Sequence, residues 1–119
     1  MRGIGAWIIV TLFASGCARP EGDCGFLSDG YTSLSENLAA LADIRSEALP
    51  ANARLTVERC YPSHPYDDYL GPFRFVGAKR AANGNIYLVY EPTGITDVQL
   101  VFEVGRDQRP LKAFQYSTL

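Results

Sequence analysis

Histidine occurs once in the 119 residues, as His64, and cysteine three times, with no Cys-x-x-Cys spacing. A tetrahedral metal site built from thiolates and imidazoles therefore lacks ligands, and no metal or cofactor is expected. The chain has no phosphate-cradling glycine loop, no His-Glu-x-x-His run and no Gly-x-Ser-x-Gly turn. Excess positive charge is missing as well. Lys and Arg number 11 against 13 Asp and Glu, a formal net charge of -2, so no nucleic-acid partner is expected, since such binding demands a basic face. No apolar run reaches the ~20 residues that a membrane-spanning helix needs, and there is no internal repeat or low-complexity segment.

What is present begins at the N-terminus. Residues 1–17, MRGIGAWIIVTLFASGC, carry the positive Arg2 and then apolar and small residues, closing on Ala14-Ser15-Gly16-Cys17. A short apolar stretch followed by small residues has the form of a secretory signal rather than a span. Ala-Ser-Gly-Cys resembles the lipobox of bacterial lipoproteins, with Ala14 where leucine is usual. That resemblance covers this segment alone. It implies that residues 1–16 are a signal peptide, that Cys17 is acylated and becomes the first mature residue, and that the membrane is a partner through the lipid. Ala18 is not the aspartate associated with inner-membrane retention, which implies outer-membrane anchoring facing the periplasm.

Loss of residues 1–16 leaves 103 of the 119 residues, and since Arg2 goes with them, ten basic side chains face thirteen acidic ones for a net -3. That length suits one small domain. Residues 17–25 read as the lipidated cysteine and a short tether, because Ala18-Arg19-Pro20-Glu21-Gly22-Asp23 is polar and interrupted by Pro and Gly. Its extended reach is on the order of 20 to 25 Å. Residues 26–119 form the domain. With Cys17 committed to lipid, Cys24 and Cys60 remain as a pair in an oxidising compartment, and a disulfide worth roughly 3 to 4 kcal/mol is expected.

The pattern of the domain predicts an α+β fold, one N-terminal helix packed on a four- to five-stranded antiparallel meander sheet. Ser33-Leu34-Ser35-Glu36 has the form of a capping box, and Pro50 stops whatever it starts, so the helix is expected over 33–49 with Leu34, Leu38, Leu41 and Ala42 on its buried face. Residues 54–60 alternate, with Leu55 and Val57 on one side, and read as a strand. In that alternation Cys60 points away from Leu55 and Val57, so the strand is expected to end or bulge there. Asn83-Gly84 predicts a hairpin through a two-residue type I′ turn, pairing Ala81 with Ile86, Lys79 with Leu88 and Gly77 with Tyr90. Phe73, Phe75, Ile86, Leu88 and Tyr90 then share the core face. Alternation over 98–104 and 111–118 supplies the remaining strands.

Function is less legible. Catalysis could be sketched with Asp67 or Asp68 orienting His64 against Ser63, but prolines bracket the stretch and nothing supplies an oxyanion hole; an enzyme is not expected. The loop over 61–72 is rich in rings and proline, and Tyr61, His64, Tyr66, Asp67, Asp68 and Tyr69 are its candidate partner-binding residues. The face of the sheet opposite the core is unusually apolar, adding Val76, Tyr87 and Val89. The expectation is a lipid-anchored, periplasm-facing protein-interaction module of the cell envelope, either an assembly or maintenance subunit or an inhibitor or immunity-type protein. The alternative is a carrier holding a small apolar ligand between helix and sheet; a hydrolytic enzyme stands behind both.

Overall fold

A computed structural model describes residues 24–63, 71–94 and 97–118. Its frame is six strands: β1 (Thr32–Ser33), β2 (Asp43–Ile44), β3 (Phe73–Arg80), β4 (Ile86–Pro92), β5 (Val98–Val104) and β6 (Pro110–Ser117). They form one sheet in the order β1-β6-β5-β4-β3-β2. Neighbours from β3 to β6 are antiparallel. β1 adds to β6 in parallel, Thr32 opposite Phe114, and β2 adds antiparallel to β3, Asp43 opposite Lys79. The sheet is therefore mixed and is not a simple meander, because its two short edge strands come from the segment before it.

β4 and β5 explain the layering. Val and aromatic residues occupy both of their faces, and both faces are buried, as suits central strands covered on two sides. The first face carries the main core: Leu88, Leu100, Phe102 and Val104 lie fully buried under Leu27, Val57 and Tyr61. Rings stack there in sequence, Tyr61 on Phe73 at 3.8 Å, Phe73 on Tyr90 at 4.5 Å, and Tyr90 edge-on to Phe102 at 5.5 Å.

The expected helix over 33–49 does not form, and the one-helix-on-a-meander architecture is overturned with it. Residues 33–49 hold the end of β1, a single 3-10 turn at Leu38–Ala40, β2, and another 3-10 turn at Ser46–Ala48. The reason is distance. β1 and β2 lie five inter-strand spacings apart, about 24 Å at ~4.8 Å each. The ten residues after Ser33 that lead to Asp43 would advance only ~15 Å as a helix, whereas extended chain covers the gap. The segment crosses the second face as a strap, and Leu34, Leu38 and Leu41 still find apolar partners there, namely Tyr87, Val89 and Val101. Glu36 accepts bonds from the Tyr87 hydroxyl and the Ala82 amide, so its carboxylate serves the sheet.

Residues 54–60 are helical rather than extended. Helix α1 (Leu55–Cys60) buries Val57 and Cys60, three residues apart, and leaves Leu55 56% exposed. A helix resolves the orientation of Cys60, since positions i and i+3 share a face while Leu55 turns outward. Arg54 is held by Glu58 at 2.6 Å, one turn on, and lies 4.1 Å from the Phe75 ring centre. Cys60 is joined to Cys24 with their Cα atoms 5.5 Å apart, fastening the 3-10 turn Gly25–Leu27 to the helix.

The Asn83-Gly84 hairpin forms with a different turn and register. Gly84 N donates to Ala81 O at 2.9 Å and Ala81 N to Asn85 O at 2.9 Å; Gly84 takes φ +92. This is a three-residue loop with a bulge at its glycine, so only one residue needs positive φ. Arg80 pairs with Ile86 and Ala78 with Leu88, one residue off the expected register; a bulge at Val76 then shifts the ladder again, so that Phe75 pairs with Tyr90. The two shifts cancel in parity, and Phe73 and Phe75 join Ile86, Leu88 and Tyr90 on the core side.

Candidate functional site

The strap does not cover the second face completely. Beside it runs a groove of about 440 Å³, open to solvent along one side. Its apolar wall is Leu38 of the strap with Val76 and Val89 of the sheet, and its floor is Gly77. A methyl built on Gly77 would meet nothing within 4 Å, so the hollow exists because the strand has no side chain there. Val76, the bulged residue, is 45% exposed and stands at the rim.

Polar groups frame this apolar floor. Lys79 Nζ lies 2.8 Å from Asp43 Oδ1 and 3.5 Å from the Leu41 carbonyl, tying β3 to the strap. Tyr116 donates to Asn37 Oδ1 at 3.2 Å, and Asn37 Oδ1 accepts from the Ala39 amide at 3.2 Å, which holds the Leu38–Ala40 turn in place. Gln99 Nε2 reaches Glu91 Oε2 at 3.5 Å, and Glu91 pairs with Arg74 at 2.6 Å. Burial and then the Glu36 carboxylate raise the Tyr87 phenol above its ordinary range, so this hydroxyl holds its proton and donates. The groove is an apolar strip with hydrogen-bonding edges and paired charges.

The sequence-derived candidates fall in three places. Val76 and Val89 meet in the groove. Tyr87 and Val89 themselves are 3% and 5% exposed, because the strap lies on them, so the chain's own residues already cover most of the apolar second face. Tyr61 is buried and stacked in the first-face core. Cys24 and Cys60 form the disulfide. Cys17 and the loop residues His64, Tyr66, Asp67, Asp68 and Tyr69 lie outside the described residues, and so does the His64 geometry that catalysis would require. Among the described residues no three His, Cys, Asp or Glu side chains gather as metal ligands.

Lys79, Asp43, Gln99, Tyr116 and Leu38 were not among those candidates. Gln99 and Tyr116 are opposite one another in the ladder, and their alternation with the core residues was the available signal. Asp43 and Lys79 carried none, since their pairing depends on β2 forming at all. No family model, no curated protein and no solved structure matches this chain, and the groove is therefore interpreted from its own residues.

Proposed function

We propose that this chain is a lipid-anchored protein-interaction module of the bacterial cell envelope, held through Cys17 at the outer membrane and facing the periplasm, and that it receives an extended segment of a partner protein in the second-face groove. The observation that carries the reading is the groove's position at an open strand edge. β2 pairs only with Ala78 and Lys79, so among the described residues the outward edge of β3 before them has no strand beside it. An added strand gains main-chain bonds along such an edge, and side-chain pockets next to it supply selectivity. Val76, Gly77, Val89 and Leu38 form that pocket.

A small apolar ligand is the second reading. The groove's volume falls within the ~300 to 1,000 Å³ of ligand sites, but such sites bury roughly 70 to 90% of their ligand, which a hollow open along one side does poorly. A photo-crosslinking side chain at position 76, introduced in cells, tests the first reading. A discrete envelope adduct that the same probe at exposed Leu111 does not give is the expected result. Equal adducts at both positions, or a ligand retained in the native mass spectrum of purified protein, would favour the carrier instead. Detergent-phase partitioning tests the anchor separately: wild-type protein should enter the detergent phase and Cys17→Ser should not be lipidated.

A further inference from the structure

Asn83-Gly84, which marks the β3–β4 turn, is also the chain's one Asn-Gly pair. In such a pair the glycine nitrogen can attack the asparagine carboxamide, because the following residue has no side chain to obstruct it. In the folded turn both reacting groups are engaged. The Gly84 amide, which would be the nucleophile, donates to Ala81 O at 2.9 Å, and the Gly84 carbonyl accepts from Arg80 Nη1 at 3.2 Å. The Asn83 carboxamide is held at both of its ends: Oδ1 accepts from Asn85 N at 3.0 Å, and Nδ2 donates to Glu103 Oε2 at 3.0 Å. Attack requires the Gly84 nitrogen to give up its proton and the carboxamide to turn its carbon toward that nitrogen, so these bonds must open first.

Glu103 makes the amide form matter. It lies on the central strand β5 and is 9% exposed. Its Oε2 accepts from a second neutral amide, Asn85 Nδ2, at 2.8 Å, and among the described residues no Lys or Arg pairs with it. A half-enclosed carboxylate satisfied by two neutral donors tolerates no second anion in place of one of them. The turn also touches the strap, since the Ala82 amide, next to Asn83, donates to Glu36 Oε1 at 3.4 Å.

We propose that Asn83 is a latent deamidation site, kept as the amide by the closed β3–β4 turn and modified when that turn opens. On opening, the Gly84 nitrogen loses its proton to solvent base and bonds to the carbonyl carbon of the Asn83 side chain. The bond from that carbon to Nδ2 breaks, and the nitrogen leaves with a proton as ammonia. Water then adds across either carbon–nitrogen bond of the succinimide ring, leaving aspartate or isoaspartate at position 83. The sequence of steps consumes only water, and because the ammonia is lost to solvent it runs one way. The product presents a carboxylate where Glu103 had met a donor, so the turn does not close as before.

The test incubates the full chain at mildly alkaline pH, folded in buffer and unfolded in denaturant, and follows position 83 by peptide mass and isoaspartate content. Deamidation should be roughly tenfold slower or more in the folded chain, and should rise in step with hydrogen exchange of the Gly84 amide as denaturant is added below the unfolding midpoint. No deamidation in the unfolded chain would overturn the site. Equal rates in the two states would overturn the protection, since the Asn85 amide would then be activating the Asn83 carbonyl rather than restraining it. Asn83→Asp reproduces one product directly and should melt several degrees below the unaltered chain. Adding Glu103→Gln should recover most of that loss, because glutamine can donate to the new carboxylate. An Asn83→Asp protein as stable as the unaltered chain, or one that Glu103→Gln makes no better, would overturn the clash with Glu103.

Discussion

The hydroxyl of Tyr87 donates a 2.8 Å hydrogen bond to Glu36 Oε2, joining the central strand β4 to the strap that crosses it. Tyr87 is buried and edge-on to Phe114 at 6.1 Å, so the ring is fixed independently of its hydroxyl. Replacing Tyr87 with phenylalanine keeps the ring and removes one donor from a carboxylate. The expected cost is about 1 to 2 kcal/mol, a fall in Tm of roughly 4 to 8 °C per kcal/mol for a domain of this size. Amide exchange should quicken in the strap before it quickens in β4 or β5. Uniform acceleration across the sheet would mean that the bond is not what holds the strap.

The second prediction concerns Cys24 and Cys60, whose bond spans 36 residues. It fastens the chain ahead of β1 to helix α1, a helix too short to persist by itself. In the chain-entropy account such a loop is worth about 4 kcal/mol. Cys24→Ala with Cys60→Ala should therefore melt far below the unaltered chain, and helical content should disappear at lower denaturant than sheet content. Coincident loss of both, with an unchanged midpoint, would show that the core alone secures the helix.

Legibility in the sequence followed the locality of the cause. The core face of β3 and β4 was readable because alternation is a property of a strand by itself, and it survived a register error since the Val76 bulge restored parity. The buried identity of Leu34, Leu38 and Leu41 was readable too. Their backbone was not, because the choice between helix and strap depends on how far apart β1 and β2 lie, a quantity fixed only when all six strands are ordered. Tertiary context overrode local propensity there. In 54–60 the conflict was visible in the sequence, since alternation turns Cys60 away from Leu55 and Val57, but a strand that ends or bulges answers it as well as a helix does; the helix puts Val57 and Cys60 on one face with Leu55 outside. The groove was half legible for the same reason, Val76 and Val89 by alternation, Asp43 and Lys79 not at all.

Alkaline pH supplies the third prediction. Tyr31, Tyr87 and Tyr90 each hold their protons well beyond the ordinary phenol value of 10.0. Burial is the leading cause in all three; the next is the charge of Tyr61 for Tyr31, the hydrogen bond to Glu36 for Tyr87, and for Tyr90 the 2.6 Å hydrogen bond that its hydroxyl donates to Glu58. A raised folded-state value means that the folded chain binds the proton more tightly than the unfolded chain. The resulting stability is complete below a pH of about 10 and drains away as pH rises past it. Of the seven tyrosines, at least these three should ionise late, together with the loss of ellipticity. A single tyrosinate transition near the ordinary value in a chain that stays folded would contradict their burial.

Gly77 provides a way to close the groove without disturbing what surrounds it. A Cβ there meets nothing within 4 Å, its φ is not in the left-handed region, and it pairs opposite Val89 in the ladder. Glycine inside a strand weakens it, and a β-branched residue packs well on a pleated surface. Gly77→Val should therefore leave Tm unchanged or raise it by a few degrees, while filling the hollow between Val76, Val89 and Leu38. If an extended partner segment occupies that hollow, the position-76 crosslink should vanish in the Gly77→Val background although the protein is at least as stable. Loss of the adduct with loss of stability would report only damage to β3. Retention of the adduct in a stable Gly77→Val protein would take the partner out of the hollow while keeping it beside position 76, at the open edge of β3.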